Sequence, residues 1–220
     1  MNDKTETLSR RTALKRLGAG VSTGIAGLAL ADPAAASHRR KMVIRGDDYS
    51  CTCDTTHYRV KIFGDAEVVS DQTESEDEHY QSGDYTIIDG YVGGDDKDVW
   101  WFDNDIVEVF AEVADSSGYD SSRIGFTFSG DFDYTARDRV SFESSASGSD
   151  QHQEYYVVAK DSISKTSNCE SCDNWRGDCV DGNSAQGYVL EYKDTYKKSG
   201  MIRDLTLRLR DRKSITMSHY

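Results

Sequence analysis

An all-β fold, an antiparallel β-sandwich of jelly-roll-like kind, is predicted by three features of this 220-residue chain. Short runs alternate apolar and polar residues with period two, the mark of a half-buried strand. Gly, Ser, Asp and Asn separate those runs at short intervals, and no stretch sustains a 3.6-residue period. Leu205-Thr206-Leu207-Arg208-Leu209-Arg210 places three leucines on one face, and Tyr58-Arg59-Val60-Lys61-Ile62-Phe63 alternates in the same way.

Taken in order, strands are expected at Met42–Arg45, Tyr58–Phe63, Tyr85–Val92, Asp98–Phe102, Ile106–Val113 and Ile124–Phe128. Five more follow at Val140–Phe142, Glu154–Val158, Tyr188–Tyr192, Leu205–Leu209 and Ser214–Met217. The segment from Asp65 to His79 carries acids without one Lys or Arg and reads as a solvated loop. Asp161 to Gln186 holds three cysteines and few apolar residues, and reads as a cysteine-clamped excursion from the sheet. Trp101–Ile106 and Phe128–Phe132 echo one another as aromatic strand ends before Asp turns, which does not establish a repeat.

Charge narrows the function classes. There are 26 Lys and Arg against 39 Asp and Glu, a net charge of −13 with pI near 4.8. Phosphate attraction needs net positive surface, so nucleic acid is not an expected partner. No HExxH, GxxxxGK or GxGxxG is present. Beyond Ala36 the acids are mostly Asp, and Arg outnumbers Lys. Short carboxylates with few long ammonium stems suit a medium of very high salt, where self-repulsion is screened within about 3 Å.

The first 36 residues read as an export signal to be removed, leaving one domain over 37–220. Arg10 and Arg11, followed by Leu14 and Lys15, precede a mild apolar run from Leu17 to Ala31 and the small residues Ala34-Ala35-Ala36. That run falls short of the roughly 18 residues a membrane-crossing helix needs, so no stable membrane span is expected. The arrangement resembles a twin-arginine (Tat) signal, which implies passage through the Tat translocase in the folded state. An extracellular or cell-surface location follows as the expectation.

Gly90-Tyr91-Val92-Gly93-Gly94, Trp100-Trp101-Phe102 and Asp103-Asn104-Asp105-Ile106 together resemble a pattern in secreted haloarchaeal proteins of unknown function. The likeness covers about residues 57–110. This chain departs from it with extra residues between Gly94 and Trp100, with Trp where tyrosine is usual, and with Asn104 where glycine is usual. The resemblance implies a β-rich exported module and brings no catalytic residue.

The cysteines form a CxC, Cys51 and Cys53, and a distant CxxC, Cys169 and Cys172, with Cys179 as a fifth. Two thiolate pairs from separate loops can complete a Cys₄ zinc site, with zinc as the one implied cofactor. Export favours disulfides instead, with Cys51 and Cys53 each reaching a different member of the later trio. Both readings bring the early pair against the 169–179 loop. Trp175 between those cysteines reads as a plug for the cluster.

Asp95, Asp96, Asp98, Asp103 and Asp105 flank one strand and are a candidate calcium set, against a background of salt-adapted surface carboxylates. Trp100 and Trp101 point to opposite faces, so at most one is core while the other is a candidate platform for stacking on a sugar ring. His57, His79 and His152 are scattered, without the spacing of a metal pair. Lys193 to Lys213 concentrates eight cationic residues, read as pairing with the acidic 65–105 region or as an anion-binding strand surface. The functional expectation is a binding or surface-interaction module with a cell-surface or glycan ligand. The alternative is a secreted hydrolase acting on polysaccharide or peptide.

Overall fold

Alternation of apolar and polar residues builds sixteen strands in the computed structural model, and no helix occurs among the described residues. Those residues are 40–46, 55–69, 73, 77–94, 96–115, 121–130, 137–146, 152–166, 178–189, 193–210 and 213–220. The strands are β1 (Arg40–Gly46), β2 (Thr55–Phe63), β3 (Ala66–Val68), β4 (Glu78–Ser82), β5 (Tyr85–Gly93), β6 (Lys97–Phe102), β7 (Ile106–Asp115) and β8 (Ser121–Ser129). They continue as β9 (Arg139–Ser144), β10 (Gln153–Ala159), β11 (Ser162–Lys165), β12 (Cys179–Asp181), β13 (Ser184–Val189), β14 (Asp194–Ser199), β15 (Ile202–Arg210) and β16 (Ser214–His219).

Every pairing is antiparallel, and the strands form two eight-stranded sheets. The first runs β12-β13-β10-β15-β8-β1-β6-β3 and the second β11-β14-β9-β16-β7-β2-β5-β4. Their inward faces bury one cluster: Met42, Ile44, Tyr58, Trp100, Phe126 and Phe142 are among the side chains with essentially no exposure. In β2 and β15 the inward positions are Tyr58, Val60, Ile62 and Leu205, Leu207, Leu209, as the alternation requires. The unit extends from His38 to Tyr220.

The two sheets contain one pattern written twice. Within β1–β8 the pairs are β1 with β6 and β8, β2 with β5 and β7, β3 with β6, and β4 with β5. Adding eight to each number reproduces the pairs within β9–β16. Among the described residues two pairings join the halves, β8 with β15 and β7 with β16, and the same operation exchanges them. The chain is therefore an internally duplicated sandwich whose halves are related by a pseudo-two-fold and share both sheets.

Several expectations shift. The polar stretch 65–79 contains β3 and the start of β4, and the cysteine-bearing stretch 161–186 contains β11, β12 and part of β13. The strand expected at Tyr188–Tyr192 begins earlier, at Ser184, and β14 was not expected. Among the described strands β3, β4, β11 and β12 are the sheet edges, paired on one side, where apolar patterning is not required. β4 illustrates this, since all five of its residues are exposed. The signal segment, including Arg10, Arg11, Leu14 and Lys15, lies outside the described residues.

Candidate functional site: twin buried bolts and two unlike faces

Each half carries a buried tyrosine facing a glycine on the neighbouring strand. Tyr58 stands opposite Gly90 on β5, and Tyr155 stands opposite Gly187 on β13. Tyr58 donates its hydroxyl to Asp98 Oδ2 at 3.0 Å, with Asp77 Oδ2 at 3.4 Å. Tyr155 has Asp194 Oδ2 at 3.0 Å, Asp178 Oδ1 at 3.1 Å and the Tyr196 hydroxyl at 2.6 Å. Glycine is required at both places by close approach. A Cβ on Gly90 would strike Asp77 Oδ1 and the Tyr58 hydroxyl, and one on Gly187 would strike Asp178 Oδ1 and the Tyr155 hydroxyl.

Burial, reinforced by the charges of Asp98 and Asp77, pushes the Tyr58 hydroxyl far above the usual phenol range. Burial followed by Tyr196, Asp194 and Asp178 does the same to Tyr155. A phenol kept neutral serves as a fixed donor, so each network fastens the chain at residue 77 or 178 onto the sheets. With the tyrosines, Asp98, Asp178 and Asp194 nearly inaccessible, neither network can meet a macromolecular ligand. They are bolts.

Another polar cluster lies where the halves meet. Asp105 is approached by Arg40, by Arg137 and by His219 at 3.5–3.6 Å, while Lys198 donates to the carbonyls of Arg137 and Gly200. Burial pushes the Asp105 carboxyl up, but the His219 hydrogen bond and the charges of His219, Arg40 and Lys198 outweigh it and hold it below the usual range. Burial lowers Lys198 and Arg40 against the opposing pull of Asp105. Beside this cluster a cavity with room for about one water is lined by Arg40, Asp105 and His219 among apolar neighbours.

These contacts redistribute the candidate calcium set. Asp98 belongs to the Tyr58 bolt and Asp105 to the Arg40 cluster. Asp96 is exposed, Asp103 is half-buried, and Asp95 lies outside the described residues. Among the described residues no three acids, histidines or cysteines converge as a metal group. The calcium constellation is not assembled by its described members.

The tryptophans divide as alternation demands. Trp100 is fully buried, which removes it as a stacking platform, and Trp101 is 36% exposed with Lys41 Nζ 5.9 Å above its ring. Cys179 stands in β12. Cys51, Cys53, Cys169, Cys172 and Trp175 lie outside the described residues. Of the basic C-terminal stretch, Lys198 acts by its charge on Asp105 of the acidic region, and other described cations find partners elsewhere. Arg208 and Arg210 bind Glu154, and Lys193 lies over the Tyr220 ring.

Outward surfaces are where ligands can reach, and the two differ. On the second sheet, β4-β5-β2 presents Tyr80, Tyr91 and Phe63, exposed by 49, 46 and 38%. Tyr91 stacks on His57 at 4.9 Å between ring centres, and His57 meets Phe110 edge-on. Its ring nitrogens contact Asp89 at 2.6 Å and Glu112 at 3.0 Å, and Arg59 Nε donates to Asp89 at 2.9 Å. Burial raises Asp89, yet the bonds from His57 and Arg59 prevail and hold its carboxyl below the usual range. An aromatic shelf edged by carboxylates and guanidinium is the chemistry that recognises polyhydroxyl rings.

Sequence reasoning passed over these aromatics and the duplication alike. The available signal was Gly90-Tyr91-Val92 recurring as Gly187-Tyr188-Val189, at the same 97-residue offset that separates Tyr58 from Tyr155. No helix among the described residues is long and apolar enough to cross a membrane. The chain matches no family model, no curated protein and no solved structure.

Proposed function

We propose that this protein is a binding or surface-interaction module, exported through the Tat pathway and working outside a halophilic cell, with the aromatic face of β4-β5-β2 as its glycan-binding surface. One observation carries the reading: Tyr80, Tyr91 and Phe63 are among the few large hydrophobic side chains left exposed, and all three share that face. Rows of same-face residues are about 7 Å apart along a strand, a spacing that lets one chain of sugar rings meet more than one aromatic. The acidic balance supports a salt-rich setting, and export favours disulfides over a zinc clasp at the cysteines.

The test is retention of the purified protein on a panel of insoluble polysaccharides in molar salt. Tyr80→Ala and Tyr91→Ala are each expected to weaken retention at least tenfold without lowering the melting temperature. Hydrolysis of any panel member would overturn the binding reading in favour of a secreted hydrolase. Retention indifferent to both substitutions would remove this face as the binding surface.

A further inference from the structure

The outward face of the first sheet concentrates cations in a chain of net charge −13. In register across it stand Tyr156, Thr206, Gly125, Arg45 and Lys97, on β10, β15, β8, β1 and β6. Two residues along, Arg123 on β8 faces Arg208 on β15. Like charges placed directly opposite on neighbouring strands repel, and this small area contains two such pairs, Arg45 with Lys97 and Arg123 with Arg208. Arg208 also touches Glu154 at 3.4 Å, and Asp204 stands two residues from Thr206 on the same face, against the four cations of the two pairs.

Between the pairs lies a floor. Gly125 is a strand-interior glycine with no heavy atom within 4 Å of the position a Cβ would take. Packing does not demand glycine there, unlike at Gly90 and Gly187. A strand glycine bare on its solvent side marks a place where something approaches the backbone closely. Arg45 is its register partner, Arg123 lies two residues along its own strand with Arg208 opposite, and Tyr156, 41% exposed, stands two strands away, about 9.5 Å at sheet spacing.

We propose that this hollow binds an anionic polysaccharide. Its sulfate or carboxylate groups are held by Arg45, Arg123 and Arg208, whose planar forks match such anions, and a sugar ring lies on Tyr156. Contact ion pairs at the floor outlast the screening that strong salt imposes at longer range. The site lies on the opposite sheet from the aromatic face, so either can fail alone.

Binding of the purified protein is measured by calorimetry with dextran sulfate, unmodified dextran and duplex DNA as probes, at low and at molar salt. Dextran sulfate is expected to bind at least tenfold tighter than either other probe. Gly125→Asp and Arg45→Glu are each expected to weaken it at least tenfold, and Glu143→Gln on the other sheet to leave it unchanged. Arg45 is exposed, so Arg45→Glu carries the test if Gly125→Asp fails to fold. No binding of dextran sulfate, or binding untouched by both substitutions, overturns the site. DNA bound as tightly as dextran sulfate overturns the polysaccharide assignment. None of these results bears on retention by Tyr80 and Tyr91.

Discussion

The β8–β15 joint on the first sheet and the β7–β16 joint on the second are the same place in the duplicated fold, and they present opposite chemistry. At the first, Gly125 lies between Arg45 and Thr206, with Arg123 facing Arg208. At the second, Thr216 lies between Glu143 and Phe110, with Ser214 facing Glu112. The open basic floor of one is the filled acidic surface of the other. Beneath both, the buried partners agree: Tyr58, Gly90 and Asp98 recur as Tyr155, Gly187 and Asp194. Packing allows few substitutions where a Cβ has no room, whereas an outward strand position constrains little beyond polarity. The halves are alike where the fold needs them and unlike where a ligand can touch them.

The contrast breaks most visibly at its glycines. Gly90→Ala and Gly187→Ala each force a methyl into an aspartate and a tyrosine hydroxyl, and should each cost about 3 kcal/mol in urea unfolding. If either is neutral, that bolt is looser than described. Removing the hydroxyl is milder. Tyr155→Phe takes one donor away from the buried Asp178 and Asp194 carboxylates and should cost about 2 kcal/mol, and Tyr58→Phe about as much or somewhat less, because of the two only Tyr155 also engages a second phenol. Equal and negligible losses in the two variants would mean the hydroxyls hold nothing.

Acid probes the joint between the halves. Asp105 is held below its ordinary value, so its contribution is complete above about pH 4 and is lost as pH falls through the lower value of the folded state. Asp89 follows the same sign on the aromatic face. Asp105→Asn should flatten the acid limb of a stability-against-pH curve, and an unchanged limb would exclude Asp105 as its source. The smallest effect is expected at the open glycine: Gly125→Ala should shift stability by no more than about 0.5 kcal/mol. A loss as large as that of Gly90→Ala would erase the distinction between a glycine needed for packing and one kept for access.

Much of the fold was legible because strands such as Tyr58–Phe63 and Leu205–Leu209 have one clean apolar face. β14 was illegible for a physical reason. Its inward residues Asp194, Tyr196 and Lys198 are buried but polar, satisfied by hydrogen bonds that no periodicity of apolar residues reveals. The duplication was hidden in the same way. Trp101–Ile106, which seemed to echo Phe128–Phe132, corresponds instead to Lys197–Ile202, and those segments share little beyond the closing isoleucine. Of the site residues, the outward direction of one tryptophan was readable from alternation. The hollow over Gly125 was not, since its three arginines come from three strands that only the register brings together.

The most direct measurement is a backbone amide titration of the isotopically labelled protein with dextran sulfate. Shifts confined to Arg45, Gly125, Thr206 and Arg208, with Glu143, Thr216 and Phe110 unmoved, are the predicted result. Shifts centred on β7 and β16, or none anywhere, would contradict the assignment of an anion-binding surface to one joint of the duplicated fold and not the other.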